Sequence, residues 1–146
     1  ADAIVSIGHA MSYLPTEADI HTSLVAAARA LRPGGLLAVD LCDLGWGRHW
    51  GGRPPEARVT DGWVLVTHFS SPTVDRYIRD MTTFVRDDAG GWHRDDERHI
   101  QVNVATEAIP ELLAAEGVDA EIRPSFGTET LPEGLVAVIG HKAGGF

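Results

Sequence analysis

Residues 2–9 read Asp-Ala-Ile-Val-Ser-Ile-Gly-His, and this stretch decides the fold. The run Ala3-Ile4-Val5 does not alternate with polar residues, which predicts a strand buried on both faces. The strand leads into a small polar tip, and ligands of α/β proteins sit at the carboxyl ends of such strands. Gly8 lets the backbone approach a ligand closely, and His9 adds a titratable ring. An ordinary turn with a surface histidine is the open alternative.

The residues that follow predict a β-α-β unit. Thr16 and Asp19 form a capping-box pattern, and apolar residues then recur at helical spacing. Residues 32–35, Arg-Pro-Gly-Gly, should end this helix, because proline cannot continue it and glycine accepts a left-handed turn. Residues 36–39 form a second apolar run, a buried strand that ends in the segment 40–43. We expect the two strands to be parallel, with a right-handed connection.

Residues 44–58 are rich in glycine, proline, tryptophan and arginine, which predicts a loop. This loop follows the carboxyl end of a central strand, where substrate loops usually lie. Trp46, Arg48 and Trp50 are therefore candidate walls of a substrate pocket. The alternative, that the tryptophans fold back onto the core, stays open at this point.

The middle of the chain predicts antiparallel strands. Alternating segments at 63–69, 76–85 and 92–104 are separated by turns, of which Asp-Asp-Ala-Gly-Gly at 87–91 is the strongest. We interpret them as a meander at about 59–104, inserted into a single, partial domain that covers residues 1–146.

The end of the third segment alternates cleanly between two faces. His99, Gln101 and Asn103 form a polar row that could line a pocket or face water, and solvent is the favoured interpretation. Thr106 is then predicted to cap a helix over 107–116 that stops at Gly117.

Two strands complete the predicted sheet. They lie at 118–123 and 135–139, and the loop between them, 124–134, could also approach the site.

Composition narrows the class of protein. The net charge is -9, with 21 acidic against 12 basic residues and no long basic run, which argues against nucleic-acid and anionic-membrane partners. The single cysteine, Cys42, excludes an internal disulfide and suits a reducing compartment. No stretch approaches the ~20 apolar residues of a membrane helix. We therefore expect a cytoplasmic protein that does not bind membranes.

Several motifs of common sites do not occur in the sequence. It holds no Cys-x-x-Cys or His-Glu-x-x-His, and its seven histidines lack ligand spacing, so no metal site is predicted. It also lacks a Gly-x-Ser-x-Gly elbow, a Walker loop and a Gly-x-Gly-x-x-Gly fingerprint.

Three motifs together resemble class I S-adenosylmethionine-dependent methyltransferases. They are residues 2–9, Leu-Arg-Pro-Gly-Gly-Leu-Leu at 31–37, and the helix-plus-glycine segment 109–117. The resemblance implies an α/β, Rossmann-like methyltransferase fold, of which this chain is the carboxyl-terminal half with an inserted antiparallel meander. Within that family, residues 6–9 and the meander resemble small-molecule N-methyltransferases of the glycine/sarcosine and amino-sugar kind.

The resemblance also implies a cofactor and a reaction. S-adenosyl-L-methionine would donate a methyl group to a small-molecule nucleophile, expected to be an amine. The cofactor-side residues would be Ser6, Ile7, Gly8 and His9. His9 would serve as general base, with His99 as a second candidate, and Tyr13 would orient the substrate. The substrate would be held by Trp46, Arg48 and Trp50, with Arg48 suited to a carboxylate.

One departure from the family is large. Its glycine-rich cofactor loop and the acidic residue that ends its second strand would both precede Ala1. We therefore expect a fragment, or a half that is completed by another chain or by a homo-oligomer. The rival hypothesis is a non-catalytic half-domain that docks on a partner chain through an exposed sheet edge. A nicotinamide-dependent oxidoreductase is a third possibility, disfavoured because Leu-Arg-Pro-Gly-Gly before a strand is not typical of that class.

Overall fold

The computed structural model describes residues 1–144. In chain order its helices and strands are β1 (Ala3–Ser6), α1 (Glu17–Ala30), β2 (Leu36–Cys42), α2 (Leu44–Trp50), β3 (Glu56–Val59), β4 (Trp63–Thr73), β5 (Arg76–Arg86), β6 (Trp92–Val102), α3 (Ile109–Ala114), β7 (Val118–Arg123) and β8 (Leu135–Lys142). The strands form two four-stranded sheets, ordered β1-β2-β8-β7 and β3-β4-β5-β6.

The first sheet confirms the predicted β-α-β unit. β1 and β2 are parallel, in a register that pairs Ala3 with Leu36 and Ser6 with Val39. β8 lies between β2 and β7 and is antiparallel to both. β2 continues to Cys42, three residues beyond the predicted apolar run, so Asp40 lies inside the strand.

β1 is less buried than predicted. Within residues 1–144, β1 pairs only with β2 and is therefore an edge strand. The prediction that this strand is buried on both faces is wrong. Val5 is 58% exposed, and Ala3 is exposed as well. Apolar side chains at an unpaired edge are typical of a surface that another segment or chain covers.

The first helix forms for the predicted reasons. The Thr16 hydroxyl accepts a hydrogen bond from the Asp19 N–H at 3.1 Å and donates one to the Asp19 carboxylate at 2.6 Å. Ile20, Leu24 and Ala28 share one fully buried face. The helix ends before the Pro-Gly-Gly turn, where Gly34 has a φ of +75°.

The main core lies between α1, α3 and one face of the first sheet. It is built from fully buried aliphatic side chains, including Leu24, Leu37, Leu41, Leu113 and Val138. The end of the meander also enters this core through Val102 and Val104. That contact fixes the second sheet against the first.

The meander confirms the three predicted strands and adds a fourth. β3–β6 form a continuous antiparallel sheet with consecutive neighbours paired. β3 lies within the segment that was predicted to be a loop. The strands of this sheet therefore span 56–102 rather than about 59–104.

The loop predicted at 44–58 is wrong in a second respect, because it begins with the helix α2. The Asp43 carboxylate caps this helix by accepting the Gly45 N–H at 2.6 Å. Two glycines lower the intrinsic helix propensity, which is why the sequence indicates a loop. Gly47 is needed for packing, since a Cβ there would overlap Ser71 Oγ and lie 2.8 Å from Asn103 Nδ2.

The third helix is shorter than predicted. A 3-10 turn occupies Thr106–Ala108, and α3 spans only Ile109–Ala114. Ala105 rather than Thr106 occupies the N-cap of this turn, and Thr106 is buried within it, so the predicted capping role is wrong. Pro110 lies in the first turn, and Gly117, the predicted stop, has a φ of +73°. No helix in the described part of the chain is long and apolar enough to cross a membrane.

Gly134 allows the loop before β8 to pass over α2, and this contact gives a stability prediction. Its φ is +83°, and a Cβ would lie 2.5 Å from both the Cα and the nitrogen of Trp46. We expect Gly134→Ala to lower the free energy of unfolding by about 2 kcal/mol, through backbone strain and overpacking. Gly127→Ala is the matched control, because open space surrounds that position. Urea unfolding with equal midpoints for both variants would contradict this reading of the contact.

Candidate functional site

The tip after β1 is held in an unusual backbone conformation by a buried carboxylate. Gly8 and His9 both have positive φ, at +87° and +48°. Asp40 accepts the Gly8 N–H at 2.8 Å and the His9 N–H at 2.7 Å. Asp40 is 1% exposed, so these charge-assisted bonds form in a water-poor environment. The neighbouring strand therefore fixes the tip.

Sequence reasoning missed Asp40 as a site residue. It was read only as part of the segment where the second strand ends. The available signal was a carboxylate directly after an apolar run. If that run is a buried strand, the carboxylate is buried too, and a buried carboxylate rarely lacks a hydrogen-bond partner.

The His9 side chain points into the molecule rather than out from a turn. Its ring is half-buried and lies against Trp46, with the ring centroids 5.6 Å apart. Burial lowers the pKa of His9 below its ordinary value of 6.5; nearby Asp40 opposes this shift and Arg79 reinforces it. Nδ1 has no hydrogen-bond partner among residues 1–144. Burial therefore favours the neutral imidazole of His9, and its Nδ1 is left without a hydrogen-bond partner in these residues.

His9 borders a cavity of about 240 Å³ between the two sheets. Trp46 and Trp50 from α2 form one wall, and Phe69 and Tyr77 from the meander form another. The aromatic rings pack on each other: Trp46 lies 5.5 Å from Trp50 and 5.9 Å from Tyr77, centroid to centroid. The lining of the cavity is thus largely aromatic.

The sequence left open whether the tryptophans line a pocket or pack onto the core, and the structure shows both. Trp46 is buried in a second core cluster with Cys42, Tyr77 and Leu135, and it also lines the cavity. Trp50 lines the cavity too, and its Nε1 donates to the Glu133 carbonyl at 2.8 Å. Pro132 of the same loop completes the lining, so the segment 124–134 reaches the site.

Gln101 and Asn103 of the predicted polar row do not face solvent, so the prediction is wrong for these two residues, whereas His99 is half-buried. Gln101 is 1% exposed and lines the cavity, while Asn103 is fully buried and donates to the Val74 carbonyl at 3.0 Å. The reason is tertiary: after β6, Val104 donates its N–H to the Cys42 carbonyl, which draws the strand end against the first sheet. Neither amide atom of Gln101 has a partner within residues 1–144.

Two arginines line the cavity, and Arg48 is not one of them. Arg48 is exposed and borders a separate groove beside Ser71. Arg53 lies over the Phe69 ring at 4.1 Å and pairs with Glu56 at 3.1 Å. Arg79 projects from β5, two residues after Tyr77, on the cavity face. The period of two along β5 was the signal that could have identified Arg79.

Tyr13 and His99 meet beside the cavity through Arg79. The Arg79 guanidinium donates to the Tyr13 hydroxyl at 2.6 Å, and this hydroxyl lies 3.2 Å from His99 Nδ1. His99 Nε2 in turn lies 2.9 Å from a Glu97 carboxylate oxygen. The three predicted catalytic residues are thus in one region, with His9 in the cavity wall and the Tyr13–His99 pair outside it.

The remaining tip residues lie at the surface. Ser6 is half-buried, Ile7 is 61% exposed, and open space surrounds the Gly8 Cα where a Cβ would stand. Burial raises the pKa of the Cys42 thiol to about 12, so this residue is no nucleophile. Within residues 1–144, no three histidine, cysteine or acidic side chains cluster to bind a metal ion.

Comparison with known proteins gives structural matches only. No family model and no curated protein matches the sequence. A methyltransferase from Clostridium acetobutylicum that depends on S-adenosylmethionine is 16% identical, with a TM-score of 0.79 over 98% of this chain and 58% of that one. A sugar N-methyltransferase from Streptoalloteichus is 20% identical, with a TM-score of 0.75 over 97% of this chain and 56% of that one.

A third solved structure is an amino pentose methyltransferase from Micromonospora echinaspora, bound to S-adenosylmethionine. It is 17% identical, with a TM-score of 0.69 over 97% of this chain and 58% of that one. The fold prediction is confirmed: the chain has the Rossmann-like fold of class I methyltransferases with the meander. It spans somewhat more than half the length of these structures.

Proposed function

We propose that a protein with this fold and cavity transfers a methyl group from S-adenosyl-L-methionine to a small-molecule nucleophile, an amine. The observation that carries the proposal is the neutral His9 ring, with an unpartnered Nδ1, in the wall of an aromatic cavity at the carboxyl end of β1. The cavity, at about 240 Å³, suits a small acceptor. The sugar N-methyltransferase and the amino pentose methyltransferase among the solved matches support an amine acceptor.

The tip of β1 fits one side of the cofactor. Asp40 occupies the Gly8 and His9 N–H groups, so the backbone is fixed before any ligand arrives. The open space at Gly8 and the exposed Ile7 side chain leave an apolar surface beside this fixed backbone. Residues 6–9 would hold the cofactor there. When bound, S-adenosylmethionine supplies an electrophilic methyl group on a sulfonium centre.

The chain's own residues then provide orientation, water exclusion and proton transfer. Trp46, Trp50 and Tyr77 surround the acceptor and exclude water from its nucleophile. His9 accepts the amine proton, because burial favours its neutral imidazole. Tyr13 and His99, which hold Arg79 from outside the cavity, orient the acceptor indirectly.

Methyl transfer is tested by the formation of S-adenosylhomocysteine, measured by mass spectrometry with a panel of small amines. Each amine is paired with the hydroxyl analogue of the same skeleton as its control. We expect product with at least one amine and none with its hydroxyl partner. Product formation equal to the acceptor-free blank for every amine would contradict the proposal.

The pH dependence of this reaction follows from His9. A lowered pKa means that the ring stays neutral to a lower pH than an ordinary histidine. With an aromatic amine, which is uncharged at neutral pH, we expect a rate that is constant down to pH ~6.5. Below that value it should fall about tenfold per pH unit once His9 protonates. A rate that already falls between pH 8 and 7 would contradict a His9 base.

A second candidate function rests on the unpaired edge of β1. Val5 and Ile7 are exposed there, at 58% and 61%, which suits a covering segment from the same protein, a partner chain or a second copy. As a docking module without catalysis, the protein would bind a partner through this edge and leave the cavity unused. Val5→Glu separates the candidates, because docking should be lost while the cavity residues stay intact.

A further inference from the structure

We propose that the acceptor carries an anionic group, a carboxylate or a phosphate, which binds to Arg79 and Gln101 inside the cavity. This inference deepens the proposed function and rests on it for the identity of the bound molecule as the acceptor. The anion site itself is argued from the cavity alone.

The amide of Gln101 lacks hydrogen-bond partners. Its side chain lines the cavity, is 1% exposed, and has no partner for its amide nitrogen or oxygen within residues 1–144. A buried amide without hydrogen bonds is costly, and it is kept where a ligand completes it. Trp46 Nε1, also buried in the cavity wall, lacks a partner in the same range. Two residues that line the cavity therefore hold N–H donors without a hydrogen-bond partner in residues 1–144.

The side chains that line the cavity carry positive charge. Nine of the described residues line the cavity; two are arginines and none is acidic, although the whole chain carries a net charge of -9. Arg53 is compensated by Glu56 at 3.1 Å. Arg79 forms no ion pair in the described residues, and its hydrogen bond goes to the neutral Tyr13 hydroxyl. A half-buried cation without a counter-ion favours an anionic ligand.

Gln101 and Arg79 lie on the same face of the meander, opposite His9. Gln101 pairs with Tyr77 across the meander, and Arg79 is two residues from Tyr77 along β5, so both side chains stand on the same sheet face. His9 approaches from the other sheet and borders the same cavity. An acceptor with its anion at the meander wall would thus place its nucleophile on the His9 side. The anionic end of the acceptor would therefore bind at the meander wall, and its nucleophilic end would lie beside His9.

The test uses tryptophan fluorescence, because Trp46 and Trp50 line the cavity, and it needs no cofactor. Benzoate, phenyl phosphate and the uncharged benzamide are titrated into the purified protein. We expect at least one anion to bind about 10- to 100-fold more tightly than benzamide. Tighter binding of benzoate assigns a carboxylate, and tighter binding of phenyl phosphate assigns a phosphate. Equal dissociation constants for benzamide and both anions would overturn the proposal.

Variants locate the effect. Arg79→Gln should remove the preference for the anion, and Arg98→Gln, which removes an arginine paired with Asp80 on the opposite face, should retain it. Gln101→Leu is a second variant, for the case that Arg79→Gln does not fold. We expect Gln101→Leu to fold, because the substitution removes no side-chain hydrogen bond within residues 1–144. It should weaken anion binding about tenfold while its thermal midpoint stays equal to or above the parent's. Unchanged anion binding in Gln101→Leu and in a folded Arg79→Gln would overturn the site.

The same samples separate this proposal from the proposed function. S-adenosylhomocysteine binding without an anion preference would remove the anion site and leave methyl transfer intact. An anion preference without S-adenosylhomocysteine binding would leave the anion site and remove methyl transfer.

Discussion

His9→Ala is expected to lower turnover by about 10²–10⁴, the range that loss of a general base produces. The physical reason is that His9 lies in the cavity wall, where burial favours its neutral, proton-accepting form and Nδ1 has no partner within residues 1–144. Turnover should fall far more than substrate affinity, because in the proposed reaction the ring would contact the reacting proton and not the bulk of the acceptor. The measurement is steady-state S-adenosylhomocysteine formation at pH 7.5 by parent and variant.

His68→Ala is the matched control for this experiment. His68 is exposed on β4, one position before Phe69 and hence on the opposite face of the meander. Its removal should change turnover less than twofold, a level typical of surface substitutions. A His9→Ala enzyme with the turnover of His68→Ala would eliminate the general-base role and leave His9 as a wall residue.

Asp40→Ala is expected to give the largest loss of stability, about 3 kcal/mol, together with loss of turnover. The substitution leaves the Gly8 and His9 N–H groups without their charge-assisted acceptor, and it does so at a buried position. The positive φ of His9 is unfavourable for a residue with a side chain, so the tip should relax once this acceptor is lost. Urea unfolding followed by tryptophan fluorescence measures the change in stability.

Asp40→Asn distinguishes a positioning role from a purely structural one. It keeps the shape and one acceptor oxygen but removes the negative charge that raises the pKa of His9. We therefore expect the acid limb of the pH–rate profile to move to lower pH in the folded variant. The exposed Asp119→Ala serves as control and should alter neither stability nor the profile. An Asp40→Ala protein as stable as Asp119→Ala would contradict the anchoring of the tip.

Local sequence signals were sufficient for most of the fold. Two apolar runs, a capping box at Thr16 and a Pro-Gly-Gly turn act over a few residues, so they predict the β-α-β unit without knowledge of tertiary contacts. Strict alternation predicted three strands of the meander for the same reason. The helix α2 was missed because Gly47 is selected by contacts with Ser71 and Asn103 that only the folded chain brings together.

The candidate site was predicted less completely, because burial in it depends on tertiary contacts. His9, Trp46 and Trp50 were identified from their position after strands, which topology dictates. Gln101 and Arg79 lie on strands whose two faces look alike in the sequence. Which face becomes a cavity wall is decided by α2 and the tip packing over it. Arg48 was placed in the pocket because a loop, unlike a helix, does not separate its side chains onto opposite sides.

The most direct test of the account is calorimetric binding of S-adenosylhomocysteine, with intact mass taken on the same purified sample. Adenosine and homocysteine, titrated separately, are the controls. We expect saturable binding with one site per chain, at least tenfold tighter than either control. Asp40→Ala should weaken this binding, because the tip at residues 6–9 would hold the cofactor. The intact mass reports whether that site is formed by this chain alone or with further sequence. Absence of binding at every mass observed would contradict the account and favour the docking module.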